Sequence, residues 1–97
     1  MKKFIKGTIE LDKDVTDLVA YEEKNKRRVQ VVKTFCDDLD IAFAMGTADD
    51  NTYLIEYKIV GNTKSYCRGV LREMKDLLKR YFPYVKSLWE ASGDQLW

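Results

Sequence analysis

The sequence predicts an α+β domain in which one antiparallel or mixed sheet carries two helices packed on one face. Short segments alternate apolar and polar residues, as strands of a half-buried sheet do. A later segment carries apolar residues at the three- and four-residue spacing of a long amphipathic helix. The 97 residues are 45% hydrophobic and 34% charged, which suits a single domain over residues 1–97 with one modest core.

The first half of the chain predicts a strand, a helix and a second strand. Lys3–Leu11 (KFIKGTIEL) alternates and is the first strand. Asp12 and Asp14 are both candidates for the N-cap of a helix that begins near Val15 and ends in the charged run EEKNKRR. The segment Val29–Phe35 (VQVVKTF) is rich in β-branched residues, which favours a second strand.

The second half predicts a hairpin, a long helix and a last strand. Strands are expected over Asp40–Gly46 and Tyr53–Val60, and a final strand over Tyr84–Ala91, with a flexible tail over about 92–97. Asn62 or Thr63 caps the helix between them, and Pro83 ends it. Its apolar stripe consists of Cys67, Val70, Leu71, Met74, Leu77, Leu78 and Tyr81. The predicted order is therefore β-α-β-β-β-α-β, with the three consecutive strands in an antiparallel meander.

The composition narrows the classes of function. Seventeen basic residues against sixteen acidic ones give a net charge of +1, so only local charge clusters indicate a partner. Histidine is absent, and with it the commonest general base and zinc ligand. Cys36 and Cys67 are expected to be buried, reduced thiols. We expect an intracellular, cytoplasmic protein with no signal peptide, membrane span, zinc, haem or nucleotide cofactor.

Glu56 and Lys58 give the strand Tyr53–Val60 (YLIEYKIV) its most unusual feature. Side chains alternate along a strand, so these two share a face, while Tyr53, Ile55, Tyr57 and Ile59 face the helices. Asp40 begins the preceding strand, and a suitable register would bring it close to Glu56. Two carboxylates can hold Mg²⁺ or Mn²⁺, and Lys58 can then orient a water or neutralise a developing oxyanion.

These residues resemble the motif of the PD-(D/E)xK nucleases. That family places an Asp at the head of one strand and Glu-x-Lys on the next, within an α-β-β-β-α-β core that here covers Val15–Ala91. The matching positions are Leu39-Asp40 and Glu56-Tyr57-Lys58. The resemblance implies Asp40 and Glu56 as metal ligands, Lys58 as the catalytic cation and nucleic-acid phosphodiesters as substrate. Glu22 or Glu23 matches the extra acidic residue that some members supply, whereas Leu39 replaces the proline of the motif.

The same residues also have a purely structural interpretation. The pattern [DE]-x-K occurs three times in the chain, at Glu22, Glu56 and Glu73, although only the second lies in a predicted strand. Charged residues are common on the solvated face of an antiparallel sheet, where pairing across strands gives them a modest stabilising role. Both interpretations stay open at this point.

Basic side chains form a stripe along the second helix. At 100° per residue they share one narrow sector beside the apolar face; they are Arg68, Arg72, Lys75 and Lys79. A second basic cluster, which includes Arg27 and Arg28, follows the first helix. Such surfaces contact a phosphate backbone or an acidic protein partner, or are simply a solvated helix face.

Three further interpretations compete with the nuclease. The segments DDLDIAFAMG and RYFPYVKSLWEAS look like parts of the N-acetyltransferase fold, but NTKSYC stands where that family has its acyl-CoA loop. The order α-β-β-β-α resembles double-stranded RNA-binding modules, which dock on shape and phosphates. The third is a small inhibitor or adaptor, of the kind that phages use, which binds another protein. The sequence does not fix the oligomeric state, although Trp97 is a candidate dimer contact.

Overall fold

The computed structural model describes residues 1–96, which form a four-stranded sheet and three helices. The elements are β1 (Lys2–Asp12), α1 (Leu18–Lys24), α2 (Lys26–Asp38), β2 (Ala42–Thr47), β3 (Tyr53–Gly61), α3 (Lys64–Tyr81) and β4 (Lys86–Gln95). The strand order is β2-β3-β1-β4, and every neighbouring pair is antiparallel. The chain therefore crosses over the sheet twice, first through α1 and α2 and then through α3.

The core lies between one face of the sheet and the helices. Alternate residues of β1 and β3 are buried on that face, among them Ile5, Ile9, Ile55 and Ile59. They pack against buried residues of the helices, which are Val29, Val32 and Cys36 of α2 and Cys67, Val70, Leu71, Met74 and Leu78 of α3. The other residues of each strand point to the opposite face, which no helix within residues 1–96 covers; we call it the open face.

The predicted α+β class, the antiparallel sheet and the placement of the helices on one face are confirmed. The long helix is present as α3, and the Thr63 hydroxyl caps it by accepting a hydrogen bond from the amide of Tyr66 at 3.0 Å. It ends at Tyr81, because Phe82 precedes Pro83 and takes an extended conformation. No helix within residues 1–96 is both long enough and apolar enough to cross a bilayer.

The strand predicted over Val29–Phe35 is wrong, because that segment lies inside α2. Its buried residues Val29, Val32 and Cys36 have helical spacing, and packing against the sheet outweighs the weak preference of β-branched residues for strands. Only β2 and β3 remain as a hairpin, so the predicted three-strand meander is absent and β1 takes the place beside β3.

The ends of α1 and β4 also differ from the prediction. Asp17, rather than Asp12 or Asp14, caps α1 by accepting a hydrogen bond from the amide of Ala20 at 3.1 Å. Residues 92–95, predicted to be a flexible tail, belong to β4 and pair with β1. The candidate dimer contact Trp97 lies outside the described residues.

Both cysteines are free and buried, as predicted, and they make folding sensitive to alkali. Burial raises the pKa of the Cys36 thiol from 9.0 to about 11, with a smaller contribution from Asp37. Above pH 9 the unfolded chain loses this proton while the native state keeps it. The contribution of Cys36 to the free energy of unfolding should therefore be constant below about pH 9 and fall as the pH rises towards 11.

Urea denaturation followed by circular dichroism at a series of pH values measures this fall. The variant Cys36→Ala should lose less stability between pH 9 and pH 10 than the wild type does. Equal slopes in the two proteins would contradict the assignment of the alkaline loss to Cys36.

Candidate binding face of the sheet

Glu56 and Lys58 lie on the open face of β3, as the alternation predicts. The buried residues of β3 are Tyr53, Ile55, Tyr57 and Ile59, and Glu56 is exposed between them on the other side. In the register of β2 and β3, Ala44 is the partner of Glu56 and Ala42 is the partner of Lys58. The small alanines leave both charged side chains accessible from the β2 side.

Asp40 lies outside β2 and terminates α2. Its φ is 54°, in the left-handed region that Asp tolerates better than most residues. Its amide donates to the Asp37 carbonyl at 3.3 Å, and the amide of Ile41 donates to the Cys36 carbonyl at 2.8 Å. This pair of bonds is the Schellman motif that commonly ends a helix. Helix termination is therefore a sufficient structural role for Asp40.

The register keeps Asp40 away from Glu56. If β2 were continued back to Asp40, that residue would lie level with Val60, four positions from Glu56. Four positions along a strand span about 13 Å, further than the two side chains can bridge to share one ion. Residues 1–96 also hold no group of three His, Cys, Asp or Glu side chains placed to bind a metal. The predicted Mg²⁺ or Mn²⁺ site gains no support from this geometry.

Lys58 is instead paired with another lysine, which lies beside it on the neighbouring strand. Lys6 of β1 is its partner in the antiparallel register. Both ammonium groups lie over the ring of Phe4, with Nζ of Lys58 at 5.2 Å and Nζ of Lys6 at 5.8 Å from the ring centroid. The ion pairs within residues 1–96 join Lys3 to Asp94 and Lys75 to Glu90, so neither lysine has a carboxylate within 4.0 Å.

Two like charges placed opposite each other weaken an antiparallel pair. The cation–π contacts with Phe4 offset part of that cost, but they leave a concentrated positive charge on the face. An arrangement whose cost to stability is only partly offset inside the fold is a signal of function. Lys6, Lys58 and Phe4 form what we call the lysine pair site.

Trp89 adds a second aromatic group to the open face. It is the partner of Thr8 on the β4 side, and Glu56 is the partner of Thr8 on the β3 side. The indole is 49% exposed, next to a register irregularity in β4 between Ser87 and Trp89. Trp89 lies four β1 positions from Phe4, a separation of about 13 Å along the strand.

The open face as a whole carries a positive charge. Alternation places four lysines on it, Lys2, Lys6, Lys58 and Lys86, against two glutamates, Glu10 and Glu56, for a net charge of +2. Most of the remaining side chains are small or apolar; they include Ala42, Ala44, Val60 and Ala91. Aromatic rings among positive charges are the surface that binds single-stranded nucleic acids elsewhere.

The basic stripe of α3 lies on the other side of β4. A groove of about 300 Å³ is lined there by Arg68, Leu71, Arg72, Lys75, Asp76, Lys79 and Glu90. Glu90 of β4 pairs with Gly7 of β1, and its carboxylate lies 3.4 Å from the ammonium of Lys75. The four predicted basic residues do share one surface, and we call it the α3 groove.

The two arginines of the second predicted basic cluster have different environments. Arg28 donates to the Tyr81 carbonyl at 2.7 Å and to the side chain of Asn25 at 2.9 Å, and its guanidinium lies over Phe82. These contacts hold α2 against the end of α3. Arg27 is exposed. Glu22 is also engaged, because its carboxylate accepts a hydrogen bond from the Tyr53 hydroxyl at 2.7 Å.

Phe4, Lys6 and Trp89 are not among the site residues that the sequence predicts. The alternation of KFIKGTIEL already places Phe4 and Lys6 opposite Ile5 and Ile9. The sequence did not predict which strand lies beside β3, because the segment within α2 was expected to be a strand of the meander. The pairing of β1 with β3 brings the two lysines together.

The comparisons with known proteins concern the fold. No family model matches the chain, and no curated protein matches it. The structural genomics protein YJCS has a TM-score of 0.59 at 9% identity, with 98% of this chain and 99% of that chain covered. The de novo designed protein Foldit4 gives a TM-score of 0.63 at 8% identity, with the same coverage.

HapK from Hahella chejuensis gives a TM-score of 0.54 at 19% identity, covering 99% of this chain and 93% of that chain. At these identities the likeness shows the fold alone. With α1 and α2 counted as one crossover, the element order and the strand order are those of the ferredoxin-like α+β fold, with the helices on one face of an antiparallel sheet.

Proposed function

We propose that this chain is a non-enzymatic module that binds single-stranded nucleic acid on the open face of its sheet. The observation that carries the proposal is the lysine pair site, where Lys6 and Lys58 lie side by side over Phe4 with no carboxylate partner among residues 1–96. On binding, the two ammonium groups move from the ring of Phe4 to backbone phosphate, which leaves the rings of Phe4 and Trp89 to stack on bases.

The charge and shape of the face support a flexible strand rather than a duplex. The bases of a single strand are free to stack on side chains, whereas those of a duplex are already stacked on each other. Phe4 and Trp89, about 13 Å apart along β1, offer two separate stacking positions on one strand. The nuclease prediction makes Glu56 a metal ligand and Lys58 a catalytic cation. In the binding module, Lys58 instead binds phosphate, and Glu56 borders the site and limits its net charge.

Fluorescence anisotropy with labelled single-stranded RNA and DNA of about eight nucleotides tests the proposal, with the matching duplex alongside. Single strands should bind more tightly than the duplex. Phe4→Ala and Trp89→Ala should each raise the Kd about 5- to 100-fold, because each removes one stacked base. Tyr84→Ala is the matched control, since Tyr84 is an exposed aromatic residue that lies outside the strands.

The outcomes separate the proposal from its rivals. Equal Kd values for the wild type, Phe4→Ala and Trp89→Ala would overturn it. Cleavage of the oligonucleotide on addition of Mg²⁺ or Mn²⁺, abolished by Glu56→Ala, would favour the nuclease instead. A dimer in light scattering that Trp89→Ala dissociates, with no oligonucleotide bound, would show that a second copy covers the face.

A further inference from the structure

The α3 groove and the open face are separated by one strand only. α3 packs its buried residues against β1 and β3 and leaves β4 uncovered. Nine of the ten residues of β4 are exposed, and the tenth is partly exposed. The outer edge of β4 has no neighbouring strand within residues 1–96. A ligand can therefore pass from one side of the sheet to the other over this edge.

Adjacent residues of β4 connect the two surfaces. Ala91 is the partner of Lys6 and faces the lysine pair site. Glu90, one residue earlier, faces the other way and contacts Lys75 in the α3 groove. The next positions, Ser92 and Gly93, carry small side chains or none, so the edge stays thin.

The α3 groove carries free positive charge. Its four cations oppose the carboxylates of Asp76 and Glu90, which leaves a net charge of +2. Lys75 is held by Glu90, whereas Arg68, Arg72 and Lys79 have no carboxylate within 4.0 Å among residues 1–96. Arginine and lysine side chains in this state contact backbone phosphates without regard to sequence.

We infer that the α3 groove extends the binding surface around the edge of β4, so that the ligand is a single strand long enough to occupy both sides of the sheet. One part of the strand lies on the lysine pair site, and its continuation crosses β4 and places phosphates against Arg68, Arg72 and Lys79. A duplex is too stiff to follow so tight a turn. The inference rests on the proposed function, because it assigns a length and a path to the same ligand.

Single strands of two lengths test the inference by anisotropy over a series of salt concentrations. The short one, of about four nucleotides, covers the open face alone, and the long one has about twelve. The double variant Arg72→Glu/Lys79→Glu should bind the short strand as the wild type does. It should bind the long strand about 10-fold more weakly, and its dependence of log Kd on log salt should fall by about 1.4, from two lost phosphate contacts.

Lys26→Glu/Lys33→Glu is the matched control, because it makes the same change in net charge on exposed residues of α2. It should bind both strands like the wild type. An unchanged Kd of Arg72→Glu/Lys79→Glu for the long strand would overturn the inference and leave the proposed function intact. An equal loss for both lengths would also overturn it, whereas failure of the wild type to bind either strand would refute the proposed function itself.

Discussion

Replacing Gly7 by alanine should lower the free energy of unfolding by about 3 kcal/mol, the upper end of the cost of overpacking a core. Gly7 lies in the centre of β1, between Tyr57 of β3 and Glu90 of β4. A Cβ atom there would lie 2.7 Å from the hydroxyl oxygen of Tyr57 and closer still to the carbonyl oxygen of Trp89. The tyrosine ring is buried and the carbonyl belongs to the backbone, so neither moves at little cost.

Urea denaturation of Gly7→Ala and of Gly69→Ala measures the effect against a matched control. Gly69 lies inside α3, and an added Cβ meets no atom within 4 Å. Gly69→Ala should therefore raise the free energy of unfolding by about 0.5–1 kcal/mol, the helix preference of alanine over glycine. Adding Tyr57→Phe to Gly7→Ala should recover only part of the loss, because the carbonyl of Trp89 remains. A Gly7→Ala protein as stable as the wild type would contradict this packing.

Reversing both charges of the lysine pair site should weaken binding of a single strand at least about 100-fold, because two hydrogen bonds to charged groups contribute about 1.5–3 kcal/mol each. In Lys6→Glu/Lys58→Glu the dependence of log Kd on log salt should also fall, by about 1.4 for two phosphates. Anisotropy titrations from low to physiological salt measure both quantities. Lys26→Glu/Lys33→Glu again controls for net charge.

The single variant Lys58→Glu separates binding from folding. It places a carboxylate opposite Lys6, and an opposite-charge pair is more favourable in an antiparallel sheet than a like-charge pair. Its affinity for the single strand should fall while its urea midpoint stays at or above that of the wild type. A lower midpoint together with a lower affinity would indicate that Lys58 supports the fold rather than the ligand.

The sequence was sufficient where a local pattern decides the structure. The alternation of YLIEYKIV correctly places Tyr53, Ile55, Tyr57 and Ile59 in the core and Glu56 in solvent. The stripe from Cys67 to Leu78 correctly predicts α3, since burial of that face drives its packing. In both cases the apolar residues fit only one of the two periods, that of a strand or that of a helix.

The sequence was insufficient to predict the structure where a segment fits both the strand and the helix period, and where residues far apart in the chain come into contact. Val29, Val32 and Cys36 satisfy helical spacing, although VQVVKTF also has the composition of a strand. That error placed the wrong strand in the sheet and hid the pairing of Lys6 with Lys58, which are 52 positions apart in the chain. Asp40 matches the position of the catalytic Asp in the nuclease motif. In the structure, however, it takes a left-handed conformation because it belongs to the Schellman motif that ends α2.

Backbone amide chemical-shift mapping by NMR, with a single strand of about eight nucleotides, tests the binding face most directly. We expect the largest changes in β1, β3 and β4 around Phe4, Lys6, Lys58 and Trp89, and no change on the outer side of α2. Changes confined to α1 and α2, with the open face unaffected at saturating ligand, would contradict the assignment of this face as the binding surface.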